Sequence, residues 1–204
     1  MSSTLELEDY KKVVNEFLEK SADLGDGWSR KAIKEEDGYS YLVKTIRKME
    51  NLDKGNLNSD DNQTDFSEVN DSIVTYEYHI VYSLSYAVPV MYFTAWKEDG
   101  STLLLEEIWS RVPKYYQDQL KNQRWTMLSQ QEHPILGRPF FTIHPCHTSE
   151  LMKNVLSVAE KQESFNYLVS WLSIVGPIVG LEVSPYYITK DGEYISRHPT
   201  ICCM

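Results

Sequence analysis

Cysteine is scarce in this sequence, and its longest hydrophobic run is short. The 204 residues include three cysteines, Cys146, Cys202 and Cys203, which are too few and too badly spaced for a disulfide scaffold. The longest apolar stretch, residues 167–181, is interrupted by Gly176-Pro177 and falls short of the roughly 20 residues that span a bilayer. The first ten residues have neither the basic start nor the apolar centre of a signal peptide. We therefore expect a cytoplasmic protein with reduced thiols and no membrane span.

Clusters of basic residues and phosphate-binding glycine patterns are also lacking. The chain holds 20 Lys and Arg against 30 Asp and Glu, a net charge of −10, and it has no basic cluster to track a phosphate backbone. Its 9 glycines never form a GxGxxG or P-loop pattern. A zinc site would need a second ligand pair of the CxxC or HxxxH type, which the sequence lacks. The potential ligands are His144, Cys146, His147, His198, Cys202 and Cys203. The sequence thus predicts no nucleic-acid partner, no cofactor and no metal.

The composition is that of one folded domain with one unusual stretch. Apolar residues make up 42% of the chain and aromatic residues 12%, which is enough to build a core without disulfide or metal staples. Residues 50–71 differ, because they contain seven acidic side chains, one lysine and only four apolar side chains. Such a segment buries too little surface to order itself. We predict a single domain over residues 1–204 with a flexible acidic loop at about 50–71.

Period-two alternation predicts the strands. From Val74 to Tyr86 the even positions are apolar or aromatic and the odd positions, including His79, are mostly polar, which indicates a long strand with one buried face. Residues 90–96 are apolar on both faces, as is typical of an interior strand. Shorter strands are predicted over residues 39–46 and 139–143, whereas residues 114–138 form an irregular segment.

Helical spacing flanks these strands. Apolar residues repeat at three and four positions between Tyr10 and Leu18, Ser3 and Glu6 can form a capping box, and Gly25 ends the helix. Further helices are predicted over residues 104–110, over about 149–160 with Thr148 as N-cap, and from near Ser164 to Gly176-Pro177. A helix, then strands, then helices predicts an α+β fold, a sheet with helices at its ends or on one face.

Cys146 is the strongest candidate for chemistry. It is the only non-terminal cysteine, and it lies between His144 and His147 just before the predicted N-cap Thr148. A helix N-terminus and neighbouring imidazoles favour a thiolate. Two alternatives stay open at this point. Cys146 could be a small buried apolar residue without chemistry, or the protein could be a cysteine peptidase with His79 or His133 as base, although no peptidase signature surrounds the cysteine.

Three stretches around this cysteine match a known family. They are residues 130–141 followed by Ile143-His-Pro-Cys146, residues 76–83 with Val88-Pro-Val90, and residues 171–181. Together they cover the chain from about 74 to 181. In these stretches the sequence resembles the autophagy-related protein ten family, the ubiquitin-conjugating-type enzymes of the autophagy system.

The resemblance implies a fold, a reaction and three partners. The family has a four-stranded antiparallel sheet flanked by helices, a core like that of ubiquitin-conjugating enzymes. A member receives the ubiquitin-like autophagy-related protein twelve from an activating enzyme, autophagy-related protein seven, as a thioester on the cysteine that matches Cys146. It then passes the C-terminal glycine to a lysine of the acceptor, autophagy-related protein five, without a separate ligase.

The donor for the tetrahedral oxyanion is not obvious from the sequence. Ubiquitin-conjugating enzymes commonly use the Asn of a His-Pro-Asn motif, but His133-Pro134 is followed here by Ile135, whose side chain donates nothing. The candidates to replace it are His144, two residues before Cys146, and Tyr86, at the end of the alternating strand. An even position on that strand is also consistent with a core residue for Tyr86. His147 and Thr148 are expected to serve the helix cap.

The sequence also suggests two partner surfaces and one alternative function. The hairpin over residues 74–96 is expected to offer a strand edge for a partner, and the N-terminal helix to face the activating enzyme. Residues 171–181 are expected to be plain core. A catalytically silent scaffold that binds a ubiquitin-like protein is the alternative, although inactive relatives characteristically lack the cysteine.

Overall fold

The computed structural model describes residues 4–32, 40–51, 71–120, 127–148, 152, 153, 155 and 166–187. The helices of this part are α1 (Leu7–Leu24), α2 (Leu105–Arg111), α3 (Lys114–Leu120) and α4 (Tyr167–Val175), with short 3-10 turns at Pro145–His147, Gly176–Val179 and Pro185–Tyr187. The strands are β1 (Ser29–Ala32), β2 (Ser40–Asn51), β3 (Asp71–Ser83), β4 (Val88–Lys97), β5 (Leu128–Glu132) and β6 (Pro139–Ile143). None of the helices in these ranges is long and apolar enough to cross a bilayer.

The strands form one antiparallel sheet in the order β1-β2-β3-β4-β6-β5. This confirms the α+β fold with helices flanking an antiparallel sheet, although the sheet has six strands where the resemblance implied four. The sheet's long centre is β2–β3–β4, which pairs over ten residues on each side of β3. By contrast, β6 joins β4 through Tyr92–Thr142 and Phe93–Phe141 alone.

Helices α1 and α4 cover the face of the sheet that carries the main core. The even positions of β3, Val74, Tyr76, Tyr78 and Ile80, are buried there with Phe17 of α1 and Trp171 of α4. The α-helix ends at Val175 and the chain continues as a 3-10 turn through Pro177, as proline requires. Most of residues 171–181 are thus core, as predicted, and Ser173 is exposed.

The opposite face is covered in part, which the sequence did not predict. His79, at an odd position of β3, is only 1% exposed because residues 133–138 fold back over the sheet. We call this group the back-face cluster: it contains His79, His133 and Phe140 with Tyr41, Val43, Val81, Tyr92, Ile135 and Leu136. Strand β3 therefore has two buried faces at its centre.

Several predicted boundaries are wrong. Helix α1 begins at Leu7 with Glu6 as its N-cap and no side-chain cap bond; Ser3, from which the capping box was predicted, lies outside the described residues. Strand β3 ends at Ser83 and residues 84–87 form a turn, because Ala87 leaves extended geometry with a φ of 50°. Residues 114–138 contain α3 and β5, which carry too few apolar residues to show a periodicity.

Two further predictions change with the topology. The hairpin over residues 74–96 lies inside the sheet and not at its edge, because β3 lies between β2 and β4, and β4 lies between β3 and β6. The outermost strands of the described sheet are β1 and β5. Of the predicted acidic loop, Glu50 and Asn51 end β2 and Asp71 begins β3. Residues 52–70 lie outside the described residues, as do most of the helix predicted at 149–160, and Cys202 and Cys203.

Candidate functional site

Cys146 lies in a single 3-10 turn at the end of β6. The turn spans Pro145–His147, with Pro145 in its first position and His144 as its N-cap. Thr148 has helical backbone angles and closes this turn, so it is not the N-cap that the sequence predicted: the chain has already turned before it. The Cys146 side chain is exposed, which removes the alternative of a buried hydrophobe.

His144 fixes the local backbone around the cysteine. Its own N–H donates to the Met127 carbonyl at 2.9 Å, which ties the end of β6 to the residue before β5. Its ring Nδ1 accepts the N–H of Cys146 at 3.1 Å. An imidazole nitrogen that accepts a bond carries no proton, so the neutral ring has its proton on Nε2. His144 therefore keeps one N–H donor on the other side of its ring.

Tyr86 meets His144 although the two lie in different parts of the chain. Their ring centroids are 5.7 Å apart at 81°, an edge-to-face contact of the kind that aromatic pairs prefer. Tyr86 is 45% exposed, because it lies in the turn between β3 and β4 rather than on β3. The core position that the alternation allowed for Tyr86 is therefore wrong. The structure brings both candidate donors to the same place beside the cysteine turn.

The Tyr86 turn, defined here as Leu84–Ala87, is held from outside. Ala87 adopts a left-handed conformation with a φ of 50°, which costs a non-glycine residue roughly 1–2 kcal/mol. Its carbonyl accepts the N–H of Leu5 at 2.8 Å, and the Leu5 carbonyl accepts the Tyr82 hydroxyl at 2.5 Å. Leu5, Tyr82 and Ala87 were not predicted, and nothing in the sequence marks them: the alternation runs on through the turn, which has no glycine.

His133 and His79 do not belong to this site. His133 is 0% exposed; its Nδ1 accepts the N–H groups of Ile135 and Leu136, both at 3.2 Å, while its Nε2 lies 3.1 Å from Nδ1 of His79. Both rings are thus engaged within the back-face cluster. The structure pairs the two histidines with each other, which removes the support for either as the base of a cysteine peptidase.

The described residues offer no group of three or more His, Cys, Asp and Glu side chains that could hold a metal ion. The side chain of His147 and the terminal cysteines lie outside the described residues. What the site does present is an exposed thiol, an imidazole bonded to the cysteine backbone and a phenol beside that imidazole. This set can carry an acyl group and offer N–H and O–H donors to it.

Comparison with known proteins identifies the family. Residues 9–186 match the model of the autophagocytosis-associated protein active-site domain. The human ubiquitin-like-conjugating enzyme ATG10 is 38% identical over 203 residues, which covers 90% of this chain and 92% of the human protein. The ATG10 enzymes of Arabidopsis thaliana (42% over 113 residues) and Dictyostelium discoideum (40% over 133 residues) match 53% and 59% of this chain, and 50% and 56% of their own length. An exposed cysteine turn on a helix-flanked antiparallel sheet agrees with these matches, and the chain belongs to the ATG10 family of ubiquitin-like-conjugating enzymes of autophagy.

Proposed function

We propose that this protein is a single-domain, cytoplasmic transferase that carries a ubiquitin-like protein on Cys146. By its resemblance to the family, the cargo is autophagy-related protein twelve, its donor the activating enzyme autophagy-related protein seven, and its acceptor a lysine of autophagy-related protein five. The observation that carries the proposal is the hydrogen bond from the backbone N–H of Cys146 to His144 Nδ1, which holds an imidazole beside the residue that bears the exposed thiol.

The first step is a thioester exchange. The Cys146 thiolate attacks the carbonyl of the ubiquitin-like protein's C-terminal glycine, which is bound to a cysteine of the activating enzyme. A new S–C bond forms, the old one breaks, and the activating enzyme's thiolate leaves. The exchange needs a thiol that a large partner can reach, and the exposure of Cys146 meets that need.

The second step is aminolysis by the acceptor lysine. The neutral amine attacks the thioester carbonyl, an N–C bond forms, and the S–C bond breaks to return the Cys146 thiolate while the amine loses its proton to solvent. A free lysine has a pKa near 10.4, so the step is demanding at neutral pH. Hydrogen-bond donors at the tetrahedral oxyanion reduce the barrier, and the loss of one such donor typically costs about 10²–10³ in rate.

We assign the donor role to His144 Nε2–H, with the Tyr86 hydroxyl as its neighbour. The alternative position, Ile135, is unsuitable for two reasons. Its side chain packs in the back-face cluster, and its backbone N–H is already bonded to His133. The two candidate donors, in contrast, lie in contact with each other beside the cysteine turn.

A gel assay tests the carrier. Incubation with the activating enzyme, the ubiquitin-like protein and ATP is expected to give an adduct on the wild type that reductant removes. Cys146→Ser should give a reductant-stable ester or no adduct, while the matched control Cys202→Ser/Cys203→Ser should charge like the wild type. A labile adduct on Cys146→Ser would show that another cysteine is the carrier. No labile adduct on the wild type would favour the scaffold alternative.

Single-turnover transfer from the charged enzyme tests the donors. We expect His144→Ala to slow transfer to the acceptor by about 10²-fold. His144→Asn should recover part of that loss, because an amide can both accept the Cys146 N–H and donate. Equal rates for His144→Ala and the wild type would remove His144 from the mechanism.

A further inference from the structure

We propose that Leu5 and Tyr82 are positioning residues that hold the Tyr86 turn against His144. The segment that contains Leu5, residues 4–6, is called the strap below. The proposal rests on the proposed function only for its kinetic consequence, because the positioning itself can be measured without any reaction.

One residue of the strap bonds on both sides of the turn, to the side chain of Tyr82 and to the backbone of Ala87. The Leu5 carbonyl accepts the Tyr82 hydroxyl on the strand that enters the turn, at 2.5 Å. The Leu5 N–H donates to the Ala87 carbonyl on the side that leaves it, at 2.8 Å. Leu5 therefore links the Tyr82 side chain to the backbone of Ala87, beside the Ser83–Val88 pair that closes the hairpin.

The turn needs this support because its own contacts are weak. Leu84 is 75% exposed and Tyr86 is 45% exposed, and the Tyr86 N–H reaches the Ser83 hydroxyl only at 3.4 Å. Ala87 is the described non-glycine residue with a positive φ. A conformation of this kind persists where surrounding contacts impose it, and it is concentrated at functional sites.

The other end of the strap is anchored in the folded core. The Tyr82 ring packs on Tyr10 of α1 with centroids 4.8 Å apart, and Tyr10 is buried. Leu5 itself packs against the main core, and Glu6 is the N-cap of α1. The location of Tyr86 beside His144 is therefore set by the start of α1, which is about eighty residues away in sequence.

Removal of one strap bond should affect transfer more than charging. Tyr82→Phe keeps the ring on Tyr10 and deletes only the hydroxyl. We expect single-turnover transfer to the acceptor to slow about three- to tenfold, the range that the net loss of one hydrogen bond gives, while the amount of thioester stays at the wild-type level. In a Tyr86→Ala background the same change should have no further effect, because the residue that it positions is gone.

Tyr78→Phe is the matched control. It removes a β3 hydroxyl that donates to the Val179 carbonyl at 2.8 Å. Tyr78 lies on the same face of the strand as Tyr82, but its bond touches no part of the Tyr86 turn. If Tyr82→Phe and Tyr78→Phe slow transfer equally, the effect is general destabilisation and the proposal is wrong. Wild-type transfer by Tyr82→Phe, under conditions where Tyr86→Ala is impaired, would also overturn it.

A second pair of variants removes the other strap bond. Leu5→Pro lacks the N–H that binds Ala87, whereas the control Glu6→Pro, at a φ of −63° that proline adopts, deletes an N–H with no hydrogen-bond partner among the described residues. We expect slower transfer for Leu5→Pro only. If Tyr82→Phe does not fold, this pair of variants tests whether the strap positions the Tyr86 turn.

NMR of the His144 ring protons separates failure of this proposal from failure of the proposed function. Their chemical shifts depend on the Tyr86 ring, so Tyr82→Phe and Leu5→Pro should move them towards the values in Tyr86→Ala, and the two controls should not. Unchanged shifts in Tyr82→Phe would overturn the positioning role. Absence of a thioester on the wild type would instead overturn the proposed function and leave this readout valid.

Discussion

At the scale of single residues, the buried pair His79 and His133 makes stability depend on pH. Burial lowers the pKa of His79 to about 3, helped by repulsion from His133 once that ring is protonated and from Lys31 and Arg138. Burial, then Arg138, lowers the pKa of His133 to about 4. The Glu77 carboxylate lies 3.1 Å from His79 Nε2, but its attraction does not offset the loss of hydration. Both rings are therefore neutral in the folded protein at neutral pH.

The sign of the pH dependence follows from that neutrality. An unfolded histidine titrates near 6.5, so below that pH the unfolded chain binds protons that the folded chain refuses. The free energy of unfolding should fall as pH drops from about 6.5 towards 4, with a slope of up to about 1.4 kcal/mol per pH unit for each histidine. Above pH 7 the pair should contribute no slope.

Urea denaturation of the wild type and His133→Asn at several pH values from 7 to 5 measures this effect. Asparagine keeps an acceptor for the N–H groups of Ile135 and Leu136 but does not titrate. We expect its stability to fall less between pH 7 and pH 5 than that of the wild type, by about 1–2 kcal/mol. Parallel pH profiles would mean that carboxylates, and not this pair, cause the acid sensitivity.

At the scale of elements, Asn166 is both a helix cap and a link between helices. Its Oδ1 accepts the N–H groups of Leu168 and Val169 at 3.0 and 3.2 Å, and its Nδ2 donates to the Val13 carbonyl of α1 at 3.0 Å. Asn166→Ala removes the cap and the link together. We expect it to lower the free energy of unfolding by about 2 kcal/mol, seen as a lower denaturation midpoint at an unchanged m-value.

Asn166→Ser distinguishes the two roles, because serine caps well but is too short to reach Val13. Its loss should fall between those of the wild type and Asn166→Ala. A loss as large as that of alanine would assign the whole effect to the link with α1, and no loss would assign it to the cap.

The elements also show what local sequence can and cannot predict. Strand β3 and helix α1 carry repeating apolar side chains that face the main core, so their periodicity identified them, whereas β4 was identified as a run that is apolar on both faces and β6 as a short apolar run. Strand β5, Leu128–Glu132, has a single buried residue and exists because β6 offers it backbone hydrogen bonds. Strand β1 is exposed along its whole length and is likewise formed by pairing, in its case with β2. Backbone pairing with a distant strand leaves no pattern in the local sequence.

Only part of the candidate site could be predicted from the sequence, as with the strands. The proximity of Cys146 and His144 was predictable because residues two positions apart are neighbours in space. The contact of Tyr86 with His144 required the exact end of β3, and the turn that follows is bonded to Leu5 through Ala87. A contact between residues 5 and 87 leaves no trace in the spacing of either segment.

At the scale of the whole molecule, the sheet should open in parts rather than as one unit. Strand β3 pairs over ten residues with each neighbour, whereas β6 joins β4 through two residue pairs and β1 is a four-residue edge. Stability at a given backbone position follows the burial and pairing around it. The cysteine turn is thus attached to the less strongly paired side of the sheet.

Native-state hydrogen exchange tests this division. Amides at Tyr78 and Phe93 should exchange only through global unfolding, at least about 10³-fold more slowly than those of Arg30 and Lys31 in β1. The His144 amide, bonded to Met127 at the end of β6, should exchange at an intermediate rate. If it exchanged as slowly as Tyr78, β5 and β6 would open only with the centre of the sheet. An intermediate rate would show that the cysteine turn can move while the core stays folded, so that a partner could reshape the site without unfolding the protein.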